Sequence, residues 1–444
     1  MCACGTHRLL PTEAGPLLVE DDGRLVRGRG IGYATAARFA APVATGAHAA
    51  PRDATARGPA CPQRRSRLDF VAGPVTDGLA VSEACQVLSV TAPSGAARLP
   101  VMVWFHGGAY LSGSGEAAKY DADALALEGQ VVVVRVTYRL GIFGYLNPDP
   151  DGEANLGLRD QIAALRWVHQ HIAAFGGDPA RVTVFGQSAG GDAVLSLILS
   201  EHTAGLFIRA ILQSAPLGLR HGRSAMTAAM RRAVAAALGG AEPGSATVAQ
   251  LLDAQDAAVA AARRFGAPGG LPFAPIAGAD PLPAAADERS RLAERARDVE
   301  ILVGHTRDDA APFVALDRRA HRLAAAGAPG RFLTRRLGRA MTERIFGRPA
   351  ATLAATWESH GGTAATYRVD WAPPDAPLGA CHCIELPLLF GAPDAWEDAP
   401  MLGARRHPVP DDVAHGMRSR WAAFAHGGVA ALPATAMRID SASG

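Results

Sequence analysis

The chain of 444 residues predicts an α/β fold: a mainly parallel central sheet, helices on both of its faces, and a helical cap or side lobe. Three observations carry that expectation. Residues 131–136 form a β-branched run with little alternation, as a strand buried on both faces requires. Leu158, Ile162, Leu165, Val168 and Ile172 recur at helical spacing, so a one-faced apolar helix follows that strand. The apolar run 181–185 then passes through Gly186-Gln187-Ser188-Ala189-Gly190 into a helix-like run at 192–199, which reads as strand, sharp turn and helix in succession.

In chain order, residues 1 to about 60 read as a largely irregular segment heading a single domain of 1–444. A small hairpin interrupts it, where Leu17-Leu18-Val19-Glu20 and Arg24-Leu25-Val26-Arg27 flank Asp21-Asp22-Gly23. Residues 81–92 are strand-like, and the apolar run 101–105 ends in His106-Gly107-Gly108-Ala109-Tyr110. The amphipathic helix stops at Gly176-Gly177-Asp178-Pro179, a strong C-terminal signal. Further strands are expected at 210–213, 300–304 and 366–369, with strand and helix alternating as a parallel sheet demands. The Pro- and Gly-rich piece 266–283 reads as a long surface connection, and the Arg-rich stretch 315–350 as the cap or side lobe.

Composition narrows the partners. With 44 basic and 42 acidic residues the net charge is only +2, which argues against a strongly polarised nucleic-acid binder. Lys119 is the only lysine. The arginines at 318, 319, 322, 331, 335, 336 and 339 cluster, and read as a solvated helical face in preference to an anionic partner site. No apolar run is long enough for a membrane span, and the first eight residues lack the apolar core of a signal peptide, so a cytoplasmic protein is expected, with secretion as the alternative. The cysteines fall as Cys2 with Cys4, Cys61 with Cys85, and Cys381 with Cys383. Only the middle pair has a spacing suited to a structural bridge, and without CxxC spacing no metal is expected.

The turn at 186–190 carries the chemistry. Glycines two residues either side of Ser188 relieve the crowding of a strained turn and push the hydroxyl into the open, as a nucleophilic serine requires. Small residues at 107–109 let backbone N–H groups approach a ligand, so this loop and the N–H of Ala189 could form an oxyanion hole. A base and an orienting acid must follow Ser188. Glu300-Ile301-Leu302-Val303-Gly304 leads into His305-Thr306-Arg307-Asp308-Asp309, and a later histidine stands at His382. With 14 histidines in the chain, these residues alone leave the choice of base and acid open.

Several longer runs narrow it. HGGAY at 106–110, VTYRLGIFGYL at 136–146, NLGLRDQIAALRWVHQHIAAFGGDP at 155–179 and VTVFGQSAGG at 182–191 are joined by ACPQ at 60–63, SEAC at 82–85, GHTRDD at 304–309 and HCIELPLLFG at 382–391. In these the sequence resembles the type B carboxylesterase family, the carboxylesterase and cholinesterase group of α/β-hydrolases. The resemblance implies a cofactor-free serine hydrolase of small-molecule carboxylic esters working through an acyl-enzyme. Ser188 would be nucleophile, His382 base and Asp309 acid, with Gly108, Ala109 and Ala189 as oxyanion hole and Gly107, Gln187 and Ser214 supporting the site. It also implies that Cys61 and Cys85 are the family's N-terminal disulfide pair, bridged where the protein meets an oxidising compartment. Asp309 stands where the family usually has Glu, and Gln187 where many members carry Glu. The absence of Trp between Cys61 and Cys85 disfavours choline esters. The alternatives are a catalytically inactive cholinesterase-like binding protein, or an amidase or lipase on the same fold. Oligomeric state is not legible.

Overall fold

The computed structural model describes residues 6–149, 152–403 and 408–440. Its strands are β1 (Thr6–Leu10), β2 (Leu17–Asp21), β3 (Leu25–Gly32), β4 (Ala34–Thr35), β5 (Val43–Ala44), β6 (Arg52–Asp53), β7 (Val87–Pro93), β8 (Leu99–Phe105), β9 (Val132–Val136), β10 (Gly177–Gln187), β11 (Arg209–Gln213), β12 (Glu300–Thr306), β13 (Ala364–Val369) and β14 (Ala436–Ile439). One 12-stranded sheet runs β1-β2-β3-β7-β9-β8-β10-β11-β12-β13-β14, with β6 on the side of β2, while β4 and β5 pair separately. From β9 to β14 every pairing is parallel; β1, β2, β3 and β7 form an antiparallel end that joins β9.

Pleat alternation divides the core into two layers. Val101, Val103 and Phe105 point to one face, where they meet Leu158, Leu165 and Val194 from the helices Leu156–His171 and Ala189–Leu199. Met102 and Trp104 point to the other, against Leu125 and Trp421 from Asp123–Gly129 and Asp411–Gly427. Both faces of β8, β9 and β10 are therefore covered, which is why these strands read as continuous apolar runs.

The fold matches the predicted α/β class, with corrections in detail. The first 60 residues are less irregular than expected, because Thr6–Leu10 adds to β2 as an antiparallel edge strand. The stretch expected as a strand from 81 begins its ladder only at Val87, and Val81 makes a lone bridge with Ala60. The connection 266–283 is not simply superficial, since Leu271, Phe273 and Leu282 are buried. Residues 315–350 are helical as predicted, in Arg318–Ala325 and Ala328–Thr342 with a π-helical turn at Glu343–Gly347. Among the described residues no helix is long and apolar enough to cross a membrane, and no group of three His, Cys, Asp or Glu could hold a metal. Cys2 and Cys4 lie outside the described residues.

Candidate active site

Ser188 closes β10 and caps the helix Ala189–Leu199, with φ 58° and ψ −123°. A β-carbon on a left-handed backbone is strained, and the turn persists because its neighbours fix it: Ser188 N–H donates to Gln213 O at 2.8 Å, and its carbonyl accepts from Asp192 N–H at 3.0 Å. Gly190 must be glycine for a different reason, since a β-carbon there would lie 2.0 Å from Phe105 O. The tight packing of helix on strand leaves Ser188 partly exposed at the wall of a cavity of ≈ 820 Å³.

The loop after β8 faces that serine. Gly108 (φ 114°) and Ala109 (φ 57°) turn the backbone, and a β-carbon on Gly108 would strike Ser112 O at 1.9 Å. Among the described residues the N–H groups of Gly108 and Ala109 donate to no protein acceptor. Ala189, first in its helix, has no carbonyl a turn behind it to bond. Three free donors therefore gather around Ser188, with the helix N-terminus adding its partial positive charge. The loop is pinned to this helix by Tyr110, whose hydroxyl donates to Asp192 at 2.6 Å, and Arg220 holds the same carboxylate at 2.7 Å. His106 is buried against Tyr138, its ring centroid 4.5 Å away, and burial pushes its imidazole down to about 4, so it serves this loop uncharged.

His382 and Asp309 are fully buried and meet at 2.5 Å between Nδ1 and Oδ1. A backbone bridge brings them together: Asp308 N–H donates to Ala380 O at 2.9 Å, and Asp308 pairs with Cys381, so the next residues, Asp309 and His382, lie side by side. The shorter side chain of Asp is thus compensated by a close backbone approach. Asp309 Oδ2 accepts Thr306 N–H at 3.0 Å, which leaves Oδ1 for the ring. Asp308 instead faces Arg307 at 3.0 Å and Arg339 at 3.8 Å.

On its other side the imidazole meets Gln187. The Gln187 amide nitrogen lies 3.2 Å from His382 Nε2, and Ser188 Oγ makes no hydrogen bond to the ring. With the Nδ1 proton directed at Asp309, Nε2 is the acceptor and the amide donates. The Gln187 carbonyl accepts from the Cys383 thiol at 3.8 Å. Gln187 therefore sits nearer the chemistry than sequence reasoning placed it. Ser214 does not reach the ring; its hydroxyl donates to Glu385 at 3.4 Å. Burial, and next the charge of Asp309, push the Glu385 carboxyl up to about 8.

Sequence reasoning missed Glu385, Phe313 and Phe346. The two rings lie 5.2 and 5.5 Å from His382 and form cavity wall; Phe346 comes from the Arg-rich stretch and Phe313 from the helix Ala311–Leu316 just before it, where no catalytic pattern flags them. Cys61 and Cys85, the pair of the implied bridge, stand in this structure as buried thiols. The Cys85 thiol is pushed well above its ordinary value by its hydrogen bond with Cys61 and by burial, and Cys61 Sγ accepts Leu140 N–H at 3.3 Å.

The Carboxylesterase family model matches residues 26–327. The chain is 40% identical to the probable N-octanoylanthranilate hydrolase of Rhodococcus erythropolis over 423 residues, 92% of this chain and 90% of that one. It is 34% identical to the para-nitrobenzyl esterase of Bacillus subtilis, over 95% of this chain and 90% of that one. The solved structure of a thermophilic PNB esterase superposes with a TM-score of 0.82 at 31% identity, covering 98% of this chain and 96% of its own.

Proposed function

The chain belongs to the carboxylesterase family of ester hydrolases, and from that premise we propose that it works as a serine hydrolase through an acyl-enzyme, with Ser188, His382 and Asp309 as its triad. The observations that carry the reading are the strained Ser188, which lines the cavity together with Gly108 and Ala109, and the Asp309-paired His382, which lies against the Phe313 and Phe346 rings of the same cavity wall. Ser188 Oγ attacks the ester carbonyl, and its proton passes to His382 Nε2. Asp309 keeps the Nδ1 proton in place and stabilises the imidazolium as it forms. The developing oxyanion is received by the N–H groups of Gly108, Ala109 and Ala189, which do not have to reorganise to meet it.

In this arrangement Gln187 holds Nε2 before the reaction starts. Its amide must give up that hydrogen bond as the serine proton arrives, so Gln187 is a positioning residue that keeps the ring oriented between turnovers. The imidazolium next protonates the leaving alcohol, and water cleaves the acyl-enzyme by the same groups in reverse.

The test joins labelling to turnover. An organophosphate should modify Ser188 alone, and Ser188→Ala should lower kcat on p-nitrophenyl esters by about 10⁴ or more while the fold persists. Labelling of another serine, or near-normal turnover by the variant, would remove Ser188 from the mechanism. A series of acyl lengths with matching anilides measures whether esters are preferred over amides. One relative is named for N-octanoylanthranilate and another for a para-nitrobenzyl ester, so both bond types belong in the panel.

A further inference from the structure

The charges around the cavity are lopsided. Its wall holds Arg64, Arg65, Arg67 and Arg263 against two carboxylates, Asp256 and Asp317. Both carboxylates are engaged within the protein: Asp256 meets Arg64 at 3.2 Å, and Asp317 caps its helix by accepting Arg319 N–H at 2.8 Å and Ala320 N–H at 2.9 Å. Arg65, Arg67 and Arg263 make no ion pair among the described residues. The catalytic floor adds one carboxylate, Asp309, and it too is engaged within the protein. Asp309 is paired with His382, Glu385 holds its proton up to about 8, and the residue beside Ser188 is the neutral Gln187.

Of the three, Arg67 is the best placed. It donates to Gly270 O, and its guanidinium lies 5.7 Å over the ring of Phe313. The same ring stands edge-on to His382 at 5.2 Å. Two ring contacts thus connect the guanidinium to the group that would protonate the leaving alcohol. Arg67 is exposed to solvent at the cavity wall, and the like charge of Arg263 adds to the positive field there. A carboxylate arriving there would meet a planar donor fork backed by an aromatic ring.

Resting on the esterase reading, we propose that this enzyme selects esters whose aromatic leaving group carries a carboxylate, with Arg67 as the receiving residue and Arg263 reinforcing its field. The selection acts on binding and alignment, so it appears in kcat/KM for charged over neutral substrates of the same shape.

The experiment compares 4-carboxyphenyl acetate with 4-carbamoylphenyl acetate, each corrected for its rate of hydroxide-catalysed hydrolysis. The wild-type ratio of kcat/KM should favour the carboxylate by roughly tenfold, the size of one charge-assisted contact in a partly screened site, and fall with added salt. R67Q should bring the ratio to within about twofold of unity, chiefly through KM, and R263Q should lower it part of the way. R331Q, on the outer helix Ala328–Thr342, should leave the ratio at its wild-type value. R67E should reverse the preference, towards 4-(trimethylammonio)phenyl acetate. A wild-type ratio at or below unity, or a ratio unmoved by R67Q, overturns the proposal and leaves the esterase reading standing. No hydrolysis of either ester overturns both.

Discussion

Replacing Asp309 by asparagine tests the acid of the triad, and the structure shows which way the new amide must turn. Thr306 N–H donates to Oδ2, so it will keep the oxygen of the introduced amide on its side and direct the NH2 group at His382 Nδ1. A donor facing Nδ1 forces the ring proton onto Nε2. There it cannot accept the serine proton, and the Gln187 amide, 3.2 Å away, must reverse to offer its oxygen, which locks the wrong tautomer in place. The expected loss in kcat is about 10⁴, or about 5.5 kcal/mol, the size that the same carboxylate-to-amide change produces in serine proteases. Asp308→Asn is the control. Its oxygen can still accept Ala380 N–H, held at 3.2 Å in the wild type, so it should cost about tenfold or less, mainly through a looser backbone bridge. The assay is steady-state hydrolysis of p-nitrophenyl acetate with circular dichroism to check the fold. If Asp309→Asn stays within tenfold of wild type, or the two variants rank in reverse, the acid lies elsewhere.

Gln187→Glu puts a negative charge beside His382; two unit charges about 4 Å apart interact by about 4 kcal/mol at an effective dielectric of 20, and a third of that surviving moves the acid limb of kcat/KM up by roughly one pH unit. An unmoved limb would mean that Gln187 does not face the working base. Glu385→Gln should alter the dependence of stability on pH: folded Glu385 keeps a proton up to about 8 that an unfolded carboxyl loses near 4.5, so wild-type stability falls as pH rises between those values, by up to about 1.4 kcal/mol per unit, and the variant escapes that loss. Urea midpoints of the two proteins measured from pH 5 to 8 would have to run parallel to contradict it. Iodoacetamide should leave Cys61, Cys85, Cys381 and Cys383 unmodified in the native protein and alkylate all four after unfolding, because each is buried. A Cys61–Cys85 disulfide peptide in protein kept under reducing conditions would contradict the free thiols.

The parts of the molecule legible in the sequence are those whose physics is local. A strand buried on both faces must be apolar at every position, so β8 and β9 declare themselves, and the Ser188 turn needs its glycines within two residues on either side. Edge strands carry no such signal: Thr6–Leu10 exposes four of its five residues and Ala436–Ile439 alternates in a short Ala-rich tail, so each is a strand only because a partner's backbone offers it hydrogen bonds. The site shows the same division. Residue order alone could not separate Asp308 from Asp309, because the two share composition, strand and loop. The geometry separates them through a bridge to Cys381, far along the chain, which sends one carboxylate inward to His382 and leaves the other among arginines. Phe313 and Phe346 are hidden for the same reason, as one stands just before and the other within a stretch whose arginines advertise solvent, while both rings cover the imidazole. Sequence motifs thus locate the proposed nucleophile and oxyanion loop, while the setting of the histidine and the charge of the cavity depend on long-range register. The proposed choice among substrates rests on those features, and this is why the family resemblance stops at ester hydrolysis and the unpaired arginines at the cavity wall carry the reading further.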